Sequence, residues 1–198
     1  MAQQMSFFSA EACHPRVADL AGLLCGPGQA VVFAKATARL TLPLTASWRA
    51  NALVKACAER GVGTGLDTVD GLLLRTAFRV DLAPLAAQWT RGAAKAVPRD
   101  FTPDGAVLRM WVLAAGHWAD GAYLLPLDPA APQTHQPLLD SLAQCGLPAT
   151  MSATAEAGPA LRITGRRRLA RLLELVGRPA GTGCADQWPA VSRMRVVS

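Results

Sequence analysis

The sequence has no long apolar stretch: Arg, Lys, Asp, Gly or Pro breaks every run well short of the roughly 20 residues that cross a bilayer, so no membrane-spanning helix is expected. Its opening, Met1 to Arg16, has two Phe but no basic start followed by an apolar block. That is not the pattern of a secretory leader, and the expected compartment is the cytoplasm. Cysteine is sparse: Cys13, Cys25, Cys57, Cys145 and Cys184 are odd in number and never form a CxxC pair, which excludes a disulfide framework and a zinc ribbon. They read as reduced, small core residues. His14, His117 and His135 have no partner at metal-ligand spacing, so neither a metal nor another cofactor is expected.

What remains is a globular composition. The 198 residues are 51% apolar and 17% charged, enough for one large domain or two small ones with a core that needs no staples. Twenty Lys and Arg against 14 Asp and Glu give a net charge of +6, a bias compatible with a nucleic-acid partner without being diagnostic of one.

A weak internal repeat organises the chain. Leu20 to Gly28 and Leu108 to Gly116 both end an apolar helical stretch on glycine. Leu53 to Val62 has a counterpart in Leu138 to Leu147, and Leu74-Arg75 with Leu82-Ala83-x-Leu85 recurs as Leu161-Arg162 with Leu169-Ala170-x-Leu172. The three offsets are 88, 85 and 87 positions. Between the landmarks the period alternates as strands require: Gln29 to Phe33 and Thr37 to Leu44 form a hairpin, and Leu72 to Val80 is a half-buried strand with Leu74, Thr76, Phe78 and Val80 inward. Thr45 or Ser47 is expected to cap the helix that carries Leu53 and Cys57. Asp120-Gly121 turns one short strand into the next at Ala122 to Leu127. The expected organisation is an extension over 1–15, a first half over 16–91, a linker over 92–103, a second half over 104–176 and a tail over 177–198.

Leu20-Ala21-Gly22-Leu23-Leu24-Cys25-Gly26-Pro27-Gly28 resembles the motif of the LAGLIDADG homing endonucleases, with Leu108 to Gly116 as its second copy. The resemblance implies an α+β, pseudo-twofold tandem αββαββα fold over residues 16–176. Its motif helices pack at the centre and its antiparallel sheets form a saddle for DNA. More narrowly, Ser6-Phe7-Phe8-Ser9-Ala10-Glu11, Leu113 to Gly116, Leu147-Pro148-Ala149 and Leu161-Arg162-Ile163 resemble the LAGLIDADG-like domain of the WhiA family, bacterial regulators of sporulation and cell division. In that family a C-terminal helix-turn-helix follows. Trp188 to Val197 looks like its lead-in, and the helix-turn-helix itself is missing.

The family's endonucleases hydrolyse DNA with one carboxylate from the end of each motif helix, holding Mg²⁺. Here those positions are Pro27 and Ala115, so no enzymatic activity is expected. What the resemblance implies instead is a WhiA-like regulatory domain for transcription, cell division or chromosome segregation. If each strand's apolar parity faces the helices, Arg39, Arg75, Arg79 and Arg162 point out from the sheet, Lys35 sits at the hairpin end, and Arg166 and Arg167 open the last helix. These seven residues are the candidate contacts to double-stranded DNA, binding weakly and with salt dependence. The same residues also fit an ordinary solvated surface, and a protein regulator or a protein-interaction role without DNA stays open. So does a degenerate nuclease.

Overall fold

The computed structural model describes residues 9–154 and 158–191. A 3-10 turn over Val17–Leu20 runs into α1 (Ala21–Cys25), followed by β1 (Gln29–Phe33), β2 (Thr37–Pro43), α2 (Ser47–Glu59), β3 (Thr64–Asp67), β4 (Leu73–Thr76) and α3 (Ala83–Gln88). The short hairpin β5 (Thr90–Arg91) and β6 (Ala94–Lys95) leads to the second copy. There α4 (Gly105–Ala115), β7 (His117–Ala119), β8 (Ala122–Pro126), α5 (His135–Gln144), β9 (Thr150–Thr154), β10 (Gly158–Ile163) and α6 (Arg166–Val176) repeat the order.

The two four-stranded sheets have the same topology, β1-β2-β4-β3 and β7-β8-β10-β9, and every pairing is antiparallel. A repeat in sequence has become a repeat in strand order. The tandem α+β arrangement expected from the motif is the one observed, with α1 packed on α4 at the centre.

That central contact depends on one residue. A Cβ on Gly22 would lie 2.1 Å from the Val107 carbonyl oxygen and 2.7 Å from both the Met110 Cβ and the Trp111 nitrogen, so only glycine lets the two backbones meet. Trp111 neither forces the helices apart nor turns outward. It is fully buried, and its indole N–H donates to the Pro126 carbonyl at 3.1 Å. Leucines supply most of the surrounding core: Leu20, Leu23 and Leu24 from α1 and its entry, Leu40, Leu42 and Leu74 from the first sheet, Leu125, Leu161 and Ile163 from the second.

Two local expectations change. Neither Thr45 nor Ser47 caps α2; the N-cap is Ala46, with no side-chain hydrogen bond. The segment 72–80 is not one continuous strand. Thr41 faces Arg75 and Ala38 faces Arg79, so three steps along β2 match four along the opposing chain, which is a bulge. The Thr76 hydroxyl fills it, accepting from the Leu40 N–H and donating to the Ala77 carbonyl, both at 2.9 Å. Beyond 177 the described chain packs on the domain: the Thr182–Gln187 3-10 helix presents a buried Cys184, and the buried Trp188 donates its indole N–H to the Gly177 carbonyl at 2.8 Å.

Candidate nucleic-acid interface and the motif-helix tips

The bulge decides which side chains leave the first sheet on the face away from the helices. Alternation puts Ala38, Leu40, Leu42, Leu74 and Thr76 inward, all buried, and Arg39, Thr41 and Arg75 outward. One extra residue then inverts the parity. Arg79 pairs opposite the buried Ala38 and so lies on the helix side, where its guanidinium forms a two-point ion pair with Asp81, 2.8 and 2.6 Å. Phe78 takes the outward place expected for Arg79. The expectation that Arg79 joins the outer face is therefore corrected, as is the inward placement of Phe78 and Val80, which are 40% and 71% exposed.

The remaining candidates fall in three places. Lys35 sits exposed at the β1–β2 turn in the left-handed region, φ 56°, next to Ala34 at 50°. Arg39 and Arg75 share the outer face with it. Arg75 lies 3.5 Å from the half-exposed Asp67 and borders an open cleft of about 490 Å³ lined by Gly65, Leu66, Asp67, Thr68 and Ala77. On the second sheet Arg162 points outward, half-buried, donating to the Asp120 carbonyl at 3.0 Å. Around it the outer face is apolar: Ala122, Leu124 and Ala160 form a small buried cluster. Arg166 and Arg167 are exposed in the first turn of α6, with no ion pair among the described residues. The two halves share a topology but not an outer surface.

At the motif-helix ends stand Pro27 and Ala115, and two cations bind the backbone carbonyls there. The Lys95 ammonium, from β6, donates to the Gly26 and Gly28 carbonyls at 2.6 and 2.7 Å and to Asp128 Oδ2 at 3.0 Å. Gln29 donates to the same carboxylate oxygen. Burial pushes the Lys95 pKa down, and the neighbouring Asp128 charge pulls it partly back. Arg49, from α2, plays the matching part at the second tip: Nη1 donates to the Val112 and Leu113 carbonyls at 3.1 and 2.8 Å, Nη2 to Gly116 at 2.6 Å. Burial lowers its pKa too. Carbonyls at a helix C-terminus carry partial negative charge, so a buried cation satisfies them electrostatically and by hydrogen bonding. Among the described residues no group of three acidic, His or Cys side chains could hold a metal ion.

Sequence reasoning missed Arg49, Lys95 and Asp128, because lone charged residues with no motif around them read as surface. It also missed Asp19, fully buried between the Arg60 guanidinium at 3.0 Å and the Arg16 backbone N–H at 2.9 Å. No helix among the described residues is long and apolar enough to cross a membrane.

No protein-family model matches the chain, and no curated protein sequence matches it. Solved structures do. The homing endonuclease I-WcaI, bound to its DNA recognition sequence, superposes with a TM-score of 0.57 at 12% identity, covering 85% of this chain and 84% of its own. Full-length DUF199/WhiA from Thermatoga maritima gives 0.57 at 14% identity, over 89% of this chain and 58% of its own. The N-terminal LAGLIDADG domain of DUF199/WhiA gives 0.53 at 13% identity, over 89% and 88%. With its paired motif helices and two four-stranded sheets of the same topology, the chain has the LAGLIDADG homing-endonuclease-like fold.

Proposed function

We propose that this chain is a non-catalytic, WhiA-like regulatory domain that contacts double-stranded DNA through the outer face of its first sheet. The observation that carries the reading is the state of the motif-helix tips. Pro27 and Ala115 offer no carboxylate for a hard cation, and the neighbouring carbonyls are already taken by Lys95 and Arg49. A divalent ion placed there would find no carboxylate on the motif itself; Asp128, beside the first tip, is already bound to Lys95, and a fixed positive charge stands at each tip. The scaffold that in I-WcaI holds DNA is kept, and its outer first sheet carries Lys35, Arg39 and Arg75. Phosphate contacts of this kind release counterions and give salt-dependent affinity without reading sequence. The likeness to WhiA supports a role in transcription, sporulation, cell division or chromosome segregation rather than DNA cleavage.

The test is duplex binding against salt concentration. Arg39→Ala with Arg75→Ala should weaken binding across sequences and reduce the log–log salt slope by about two. Absence of salt-dependent binding by the parent chain would leave a protein-interaction module, and Mg²⁺-dependent nicking of duplex would restore the nuclease.

A further inference from the structure

The turn end of the first sheet carries a feature that phosphate contact does not use. Phe33, the last residue of β1, is 64% exposed, and Phe78 lies beside it, ring centroids 5.7 Å apart and tilted by 52°. The Arg39 guanidinium stacks over the Phe78 ring at 4.7 Å, its Nε without a hydrogen-bond partner. Val31, also outward, extends the patch, and Lys35 stands at its rim. Two aromatic rings left in water on a sheet face carry a hydration cost that folding does not relieve, and such patches mark contact sites. This one exists because the bulge at Thr76 turns Phe78 outward.

The charges around it select the partner. Lys35 and Arg39 border the rings without an ion pair among the described residues, while Asp81 is engaged by Arg79 on the opposite side of the sheet and Asp67 lies beside Arg75. Aromatic faces framed by unbalanced cations match a polyanion that carries flat rings of its own. Stacking needs those rings out of the duplex. We propose that Phe33 and Phe78, with Arg39, form a stacking platform for unpaired bases, so that the chain prefers DNA with an opened or single-stranded segment over perfect duplex. This rests on the reading of the outer face as a DNA surface.

Fluorescence anisotropy with three labelled probes of one sequence tests it: a perfect duplex, the same duplex with a central unpaired bubble, and the single strand. The parent chain should bind the bubble and the single strand on the order of tenfold more tightly than the duplex. Phe33→Ala with Phe78→Ala should remove that preference while leaving duplex affinity within about twofold, since phosphate contacts through Arg75 remain. Phe33→Trp, which keeps a π-face, should retain the preference, and Phe33→Leu with Phe78→Leu, which keeps only apolar area, should lose it. Both rings are exposed, so unchanged melting temperatures are expected and serve as the folding control. Equal affinity for the three probes would overturn the platform and leave DNA binding standing. Binding to none of them would overturn both. A Leu pair that keeps the parent's preference would overturn base stacking and leave apolar contact alone as the cause.

Discussion

The Nζ of Lys95 lies 3.0 Å from Oδ2 of Asp128, with both side chains almost completely withdrawn from water. The same ammonium holds the Gly26 and Gly28 carbonyls, so the connector hairpin, the end of the first motif and the loop after β8 meet at one charge. A buried pair of this kind is worth less than its removal by halves would suggest, because loss of one partner strands the other. Among the described residues, Lys95→Met leaves the Asp128 carboxylate with Gln29 and the Ala130 N–H, and removes the ammonium donor from the Gly26 and Gly28 carbonyls. We expect it to cost roughly 3–5 kcal/mol in equilibrium urea unfolding, and Lys95→Met combined with Asp128→Leu to cost less than Lys95→Met alone. Destabilisation below about 1 kcal/mol in the single variant would show that this charge does not join the halves.

Gly22 offers a second check on the central contact. Its missing side chain is where the backbone of α4 passes, so Gly22→Ala must move one helix against the other or against its sheet. Overpacking by a methyl group in a relaxed core costs about 1–3 kcal/mol, and here the obstacle is backbone, which cannot rotate away. A loss at or above the top of that range is expected by thermal unfolding. Gly63→Ala is the matched control: nothing lies within 4 Å of its added Cβ, and stability should stay within about 1 kcal/mol of the parent.

How much of this was legible in the sequence follows from which forces are local. The motif helices, the β1–β2 hairpin, the Asp120-Gly121 turn and the arginine-led last helix were readable because apolar period and turn chemistry act over a few residues. Pro27 and Ala115 could be placed at the helix tips by the motif alone. The bulge was not readable, since Leu74, Thr76, Phe78 and Val80 keep an unbroken alternation, and only the Thr76 hydroxyl bound to Leu40 across the strands breaks the register. The site reading inherited that error at Arg79. Arg49 and Lys95 were invisible for another reason: each acts on carbonyls more than 60 positions away in the chain, and a carbonyl leaves no mark in a sequence.

The corrected parity separates two arginines that looked equivalent. Arg75 is outward on β4, whereas Arg79 lies on the other side, tied to Asp81, whose carboxyl is held below its usual range chiefly by that hydrogen bond. In duplex binding at low salt, Arg75→Ala should weaken affinity severalfold, as loss of one phosphate contact does. Arg79→Ala should leave affinity and salt slope unchanged, because its guanidinium lies on the other side of the sheet from that surface. Equal losses for both variants would mean that the outer surface extends past the bulge and that the face assignment is mistaken.

The last prediction concerns alkaline pH. Desolvation pushes the Cys57 thiol from 9.0 up to about 11 and raises Cys25, Cys145 and Tyr123 as well. For each, the unfolded chain loses its proton first, so above pH 9 the native state binds more protons and stability must fall as pH rises. Lys95 acts in the opposite sense. Its lowered native pKa means that the unfolded chain holds more protons just below 10.5, which adds stability as pH rises toward that value. Several raised groups act against this one lysine, so the melting temperature should decline between pH 9 and about 11, with Cys57 alone contributing on the order of 2 kcal/mol. Cys57→Ala should start from a lower melting temperature, because it leaves a small cavity, yet decline less steeply over the same interval. A melting temperature that is flat or rising across that range would show that these groups reach water in the native state and that the core around α2 is more open than its burial indicates.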